Sequence, residues 1–139
     1  MARLSRGSES SGTLAGRIQG KPVRRRLLSS KIHRARVTDA NLNDVGTASI
    51  DVDLMAAADI RPDQQVAVVD IDNGARLETY AIEGRPGEIC FNGASVRLVT
   101  VGDEVILLTN ADYDESELSA HEPRVVHVDD RNVIVETTN

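Results

Sequence analysis

The sequence predicts a mainly β fold, a small closed or nearly closed barrel with short helices. Three observations carry that expectation. The 139-residue chain has one Phe, two Tyr and no Trp, so its core must be built from Val, Ile, Leu and Ala, and β-branched residues favour strands. Short alternating apolar runs recur between turn signals from residue 26 to residue 135, the pattern of a small barrel. The pair Asn73-Gly74 divides two such runs and is the strongest short-range signal for a hairpin. The length predicts one domain with a modest core.

The elements follow in chain order. Residues 1–22 are rich in Gly, Ser and Arg and have no period, which predicts a disordered basic extension ahead of a domain over 23–139. Residues 26–38 read as an extended segment with Lys31 and His33 on one face. Residues 38–42 carry cap and turn chemistry, up to one helical turn. A strand opens at Thr47, with Thr47, Ser49, Asp51 and Asp53 on one face and Ala48, Ile50, Val52 and Leu54 on the other. Asp53 is the expected N-cap of a short helix over 54–60, stopped by Pro62. Residues 65–71 and 75–82 form the hairpin. Arg76, Glu78 and Tyr80 share one face of its second strand; Leu77, Thr79 and Ala81 share the other. Residues 89–91 make a short strand, and Asn92-Gly93-Ala94 turns into a brief helix through Leu98. Residues 105–108 have buried-strand length, 111–122 form an acidic loop, and 123–128 and 133–135 are closing strands.

Charge and composition exclude several function classes. The net charge of -6 is uneven: residues 1–26 hold seven Lys/Arg and one acid, residues 27–139 nine Lys/Arg and 21 acids. An acidic domain is a poor nucleic-acid binder. No apolar run reaches membrane-spanning length, so no membrane partner is expected. Cys90 is the only cysteine. It has no intrachain disulfide partner, sits in the apolar run Ile89-Cys90-Phe91, and suits the reducing cytoplasm. His33, His121 and His127 lack ligand spacing, so no metal is expected. There is no glycine-rich phosphate motif, and the carboxylates read as solvated.

One stretch carries chemistry. In Asp44-Val45-Gly46-Thr47 a hydroxyl residue follows a glycine at the mouth of a strand. Such a hydroxyl can attack the preceding carbonyl. Gly46 has no Cβ, which leaves that carbonyl open and permits a strained backbone. Gly-Thr pairs are common, and in isolation this one reads as a turn followed by a half-polar strand. From spacing alone Arg76 and Tyr80 read as a surface pair, about 13 Å apart at ~3.3 Å per residue. They share a site only if it is elongated or a second subunit contributes.

The segments Lys31-Ile32-His33-Arg34-Ala35, Val45-Gly46-Thr47, Asp72-Asn73-Gly74-Ala75-Arg76-Leu77-Glu78-Thr79-Tyr80 and Asn92-Gly93-Ala94 stand in order along the chain. Val101-Gly102-Asp103 and Glu122-Pro123-Arg124-Val125-Val126 extend the series. Together they resemble the pyruvoyl-dependent aspartate 1-decarboxylase family from about residue 23 onward. The resemblance implies a double-psi β-barrel and a homotetramer with sites between subunits. It implies a lyase that converts a small acidic amino acid, L-aspartate, to β-alanine and CO2 for pantothenate synthesis. The family makes its own cofactor: a serine attacks the preceding glycine carbonyl, and the chain divides to leave a pyruvoyl group. That ketone forms a Schiff base with the substrate amine and accepts the electrons released with CO2.

By position, Gly46 would end the first chain and Thr47 would head the second as the Schiff-base-forming keto group. Lys31 and Arg76 would pair with substrate carboxylates, and Tyr80 would be the proton donor. Thr79 would assist processing by hydrogen-bonding the oxyanion-like intermediate. Asn92, Gly93 and Ala94 would orient the ketone or the substrate. The family's serine is Thr47 here, so the self-derived group would be 2-oxobutanoyl, and its extra methyl crowds the attack. Asp44 stands where the family usually has a tyrosine, and Ser95 replaces a small apolar residue. Two other readings stay open: an unprocessed homologue serving as a binding or assembly module, and a decarboxylase of a related acidic amino acid. A maturation helper is a further candidate partner.

Overall fold

The computed structural model describes residues 23–42 and 46–138. The predicted extension over 1–22 and the positions Asp44 and Val45 lie outside the described residues. The chain is mainly β. Its strands are β1 (Arg24–Arg36), β2 (Asp39–Asn41), β3 (Thr47–Asp51), β4 (Gln65–Asp70), β5 (Arg76–Gly84), β6 (Ile89–Asn92), β7 (Glu104–Asp114), β8 (Arg124–Val128) and β9 (Ile134–Thr138). One helix, α1 (Val52–Ala58), and two 3-10 turns, Gly93–Arg97 and Glu115–Ala120, complete the described elements. The strands form one nine-stranded sheet in the order β9-β8-β1-β7-β4-β5-β3-β6-β2. Consecutive strands are often not neighbours in that order, and three pairings, β1 with β8, β2 with β6 and β3 with β5, are parallel. This mixed, crossed order is that of a small barrel rather than of a meander.

Compactness divides the described residues into two units. The smaller comprises 23–27 and 111–122. It is held by polar contacts: Arg25 pairs with Glu115 at 2.9 Å and Arg26 with Asp112 at 3.1 Å, and the Tyr113 and His121 rings lie 4.3 Å apart. Asp114 caps the 3-10 turn by accepting from the Ser116 N–H, and Glu117 returns a bond to the Asp114 N–H. The expected acidic loop is therefore a strand end and a capped turn. Local capping by Asp114 and Glu117 orders what net charge suggested was loose.

The larger unit comprises 28–110 and 123–138. Its core is aliphatic, with Ile32, Ala48, Ile50, Val68, Ala81, Ile89, Phe91, Val105, Leu107 and Val126 all fully buried. The hairpin forms as expected: Val69 stands opposite Arg76, and Gly74 takes a φ of 78° in the turn, a conformation that costs a residue without Cβ little. Along β5 Arg76, Glu78, Tyr80 and Glu83 are exposed, and Thr79 and Ala81 are buried.

Two local expectations are corrected. The helix N-cap is Asp51, not Asp53: its Oδ1 accepts from the Asp53 N–H at 2.8 Å while Oδ2 accepts from the Gly87 N–H at 2.7 Å. The helix ends at Ala58 with Asp59 in the left-handed region at φ 55°, three residues before Pro62. Residues 39–41 are a strand rather than a turn, because Ala40 pairs with Phe91 of β6. In each case a partner distant in sequence overrides the local propensity.

Asn132 ties three segments together. Its Oδ1 accepts from the Arg36 N–H at 2.7 Å, and its Nδ2 donates to the Arg36 and Gly87 carbonyls, both at 2.9 Å. It is buried and adopts φ 63°, which asparagine tolerates better than most residues. Asn132→Ala leaves three buried backbone groups without partners and should cost on the order of 2–4 kcal/mol, read as a lowered urea midpoint. A loss under about 0.5 kcal/mol would contradict this role, since the net worth of even one such bond is about 1 kcal/mol.

Candidate active site

The candidate site is built on β3. Ala48 and Ile50 are fully buried and Thr47 and Ser49 are half-buried, the alternation expected of a strand with one face in the core. β3 pairs in parallel with β5, Ala48 facing Ala81, and antiparallel with β6, Thr47 facing Asn92. The second pairing sets the contact that matters. Asn92 is buried, and its Nδ2 donates to Thr47 Oγ1 at 3.0 Å and to Ser49 Oγ at 3.2 Å. Its Oδ1 accepts from Cys90 Sγ at 3.4 Å. Cys90 is thus buried, as expected, and also helps to orient the amide. The Asn92 backbone carbonyl accepts from Ser95 Oγ at 3.2 Å, so Ser95 braces the main chain. Gly93 follows with φ 80° and opens the 3-10 turn that carries Ala94, Gly93 buried and Ala94 exposed.

The β3–β5 register places Tyr80 and Thr47 each one residue before the paired Ala48 and Ala81. Tyr80 is 52% exposed, and Thr79 beside it is buried and faces Val66 of β4. Arg76 is exposed at the start of β5. Lys31 lies half-buried on β1, opposite Val125 of β8, with β7 and β4 between β1 and β5 in the sheet order. Ion pairs among the described residues use Arg25, Arg26, Arg34 and Arg36, and neither Lys31 nor Arg76. The fold therefore brings together Thr47, Asn92, Ser49 and Cys90. It sets Tyr80 and Thr79 on the adjoining strand, and Arg76 and Lys31 take part in none of those ion pairs. A surface cavity of about 330 Å³ lined by Thr38, Asp39, Arg85, Pro86, Gly87 and Glu88 contains none of these residues.

Gly46 is exposed, and a Cβ there would meet nothing within 4 Å. Ser49 is the residue that sequence reasoning passed over. Its place on the same face as Thr47 was visible, but the shared amide depends on a strand more than forty positions away.

The sequence model of the aspartate decarboxylase family matches residues 23–135. The chain is 53% identical over 112 residues to an aspartate 1-decarboxylase of Wolinella succinogenes, covering 79% of this chain and 93% of that protein. It is 51% identical over 114 residues to an aspartate 1-decarboxylase of Staphylococcus aureus, covering 81% and 90%. With the mainly β fold, these matches define the class: a small carboxy-lyase barrel, of a kind that generally works with a pyruvoyl group. The chain belongs to the aspartate decarboxylase family. No described helix is long and apolar enough to cross a membrane.

His33, two residues from Lys31 on β1, has a pH signature. Burial holds its pKa below the usual 6.5, helped by the positive fields of Lys31, Arg34 and His127 and opposed by Glu104. Its ring lies 5.6 Å from that of His127, edge to face. Below pH 6.5 the unfolded chain binds the proton more readily than the folded one, so this contribution to stability falls as pH drops. His33→Gln should flatten the decline in Tm between pH 7 and pH 5, other titrating groups being common to both proteins. Parallel Tm profiles would contradict it.

Proposed function

We propose that this protein is an aspartate 1-decarboxylase. It converts L-aspartate to β-alanine and CO2 through a 2-oxobutanoyl group that it makes at Thr47 by cutting its own Gly46-Thr47 bond. The observation that carries the reading is the bond from buried Asn92 Nδ2 to Thr47 Oγ1, in a chain of more than 50% identity to proteins of that name.

The processing chemistry balances within the chain and one water. Thr47 Oγ1 attacks the Gly46 carbonyl carbon, the amide nitrogen leaves, and an ester joins the two residues. Loss of the Thr47 α-proton expels the Gly46 carboxylate from Cβ, and hydrolysis of the resulting enamine releases ammonia and leaves the ketone. Asn92 holds the attacking oxygen by donating to it, so the hydroxyl oxygen is the acceptor in that bond. Thr79 would donate to the oxyanion-like intermediate. The amide N–H suits a keto oxygen as well as a hydroxyl, so the donor set fits the group. Once formed, the ketone supplies an electron sink for the pair released with CO2.

Substrate handling falls to residues that point away from the core. Arg76 and Lys31 would bind the two carboxylates, the guanidinium bidentately. Tyr80 would deliver the proton to the α-carbon. Gly93 and Ala94 would orient the bound molecule. Arg76 and Tyr80 are exposed in a single chain, which supports a homotetramer in which another copy covers them. A cytoplasmic setting in pantothenate synthesis, with or without a maturation helper, completes the proposal.

Thr47→Ala should abolish both chain cleavage and CO2 release, and Thr47→Ser should speed cleavage by removing one methyl. Crowding of one carbon costs ~1–3 kcal/mol, so a gain of roughly fivefold or more is expected. CO2 release by Thr47→Ala would refute the mechanism. Release from a methyl-substituted aspartate in preference to aspartate would refute the substrate.

A further inference from the structure

The hairpin between β4 and β5 carries a cluster that the proposed reaction does not use. Asp70, Asp72 and Asp103 place carboxylate oxygens within 4.8 Å of one another. Each carboxylate is anchored through one oxygen by a backbone amide. Asp70 Oδ1 accepts from the Asp72 and Asn73 N–H groups at 2.9 and 3.2 Å. Asp72 Oδ2 accepts from the Glu104 N–H at 2.9 Å, and Asp103 Oδ2 from the Thr100 N–H at 3.0 Å. Anchoring of this kind aims the second oxygen of each group and leaves it for another partner.

The Asp70 side chain makes the arrangement unusual. Asp70 is 0% exposed, and its Oδ2 has no hydrogen-bond donor. A buried carboxylate oxygen without a partner is costly. Its neighbour is the Asp103 carboxylate, itself an acceptor, so the two oxygens need something positive between them. None of the ion pairs among the described residues involves Asp70, Asp72 or Asp103. A proton shared by Asp70 and Asp103 would serve two of the carboxylates, whereas a divalent cation serves those two and the exposed Asp72 as well.

We infer that Asp70, Asp72 and Asp103 form a binding site for a hard divalent cation of calcium size. All donors are oxygens, and the half-open side at Asp72 and Asp103 admits the ion and the waters that complete its shell. Asp72 and Asp103 lie on turns rather than in strands, and calcium accepts irregular oxygen geometry more readily than magnesium. The ion clamps the turn at 71–74 to that at 100–103. It thereby stiffens the turn end of the hairpin whose second strand begins at Arg76. The site is independent of cleavage at Gly46-Thr47. The sequence expectation of no metal was drawn from histidine spacing and did not address this carboxylate cluster.

Calorimetric titration of the full chain with calcium chloride tests it, alongside Tm in calcium or magnesium chloride against sodium chloride of equal ionic strength. The expected result is about one calcium per chain with a Kd on the order of 0.1–1 mM. At tenfold that concentration the folding equilibrium rises about tenfold, seen as a higher Tm, with a smaller response to magnesium. Asp72→Asn and Asp103→Asn each keep an oxygen for their backbone donor and should weaken binding at least tenfold. No calcium heat, a shift matched by sodium chloride, an equal response in both variants, or a Tm that answers only to protons would each overturn the inference.

Discussion

β3 is held between two strands that run in opposite senses, and the placement of Thr47 depends on that. Parallel pairing with β5 and antiparallel pairing with β6 fix one register. A slip of one residue would turn Ala48 and Ile50 outward and Thr47 and Ser49 into the core. Burying a side chain the size of Ile50 is worth about 1.5–3 kcal/mol, whereas a hydrogen bond such as that from Asn92 to Thr47 nets about 1 kcal/mol. Aliphatic burial therefore sets the register, and the amide of Asn92 reads it. The candidate nucleophile is positioned by the core beneath it, not by its own polar contact.

The same division of labour runs through the larger unit. Apolar residues choose which strands lie together, and buried polar side chains fasten the loops between them. Asn132 joins the end of β1 to the Gly87 loop and the approach to β9. Asp51 caps α1 with one oxygen and holds that same loop with the other. In a chain with three aromatic residues, a few fully satisfied polar groups give definition that a small aliphatic core would not give unaided.

Much of this was legible in the sequence where the signal is local. The Asn73-Gly74 turn and the alternation along β5 need only neighbouring residues, and both stand as read. A series of short motifs pointed to Gly46, Thr47, Arg76, Tyr80 and Asn92 as candidate site residues, and the fold shows the Asn92 amide against Thr47. What stayed hidden depends on pairing between distant segments. Asp53 looked like a cap until Asp51 was seen to reach both the helix and Gly87. Residues 39–41 looked like a turn because β6, which makes them a strand, lies some fifty residues on. The Asn92 amide pointing at Thr47 is of the same kind, since no local pattern encodes the β3–β6 register. Asp70 and Asp103 lie on different strands' ends, and only the fold reveals that they face each other.

The account rests on a chain that divides itself. The direct measurement is the intact mass of the purified protein under denaturing conditions, before and after reduction with borohydride. The account predicts two polypeptides separating between Gly46 and Thr47, the second lighter by one ammonia than a chain headed by threonine and gaining two hydrogens on reduction. A single uncut chain in folded, aged protein, unchanged by borohydride, would contradict it.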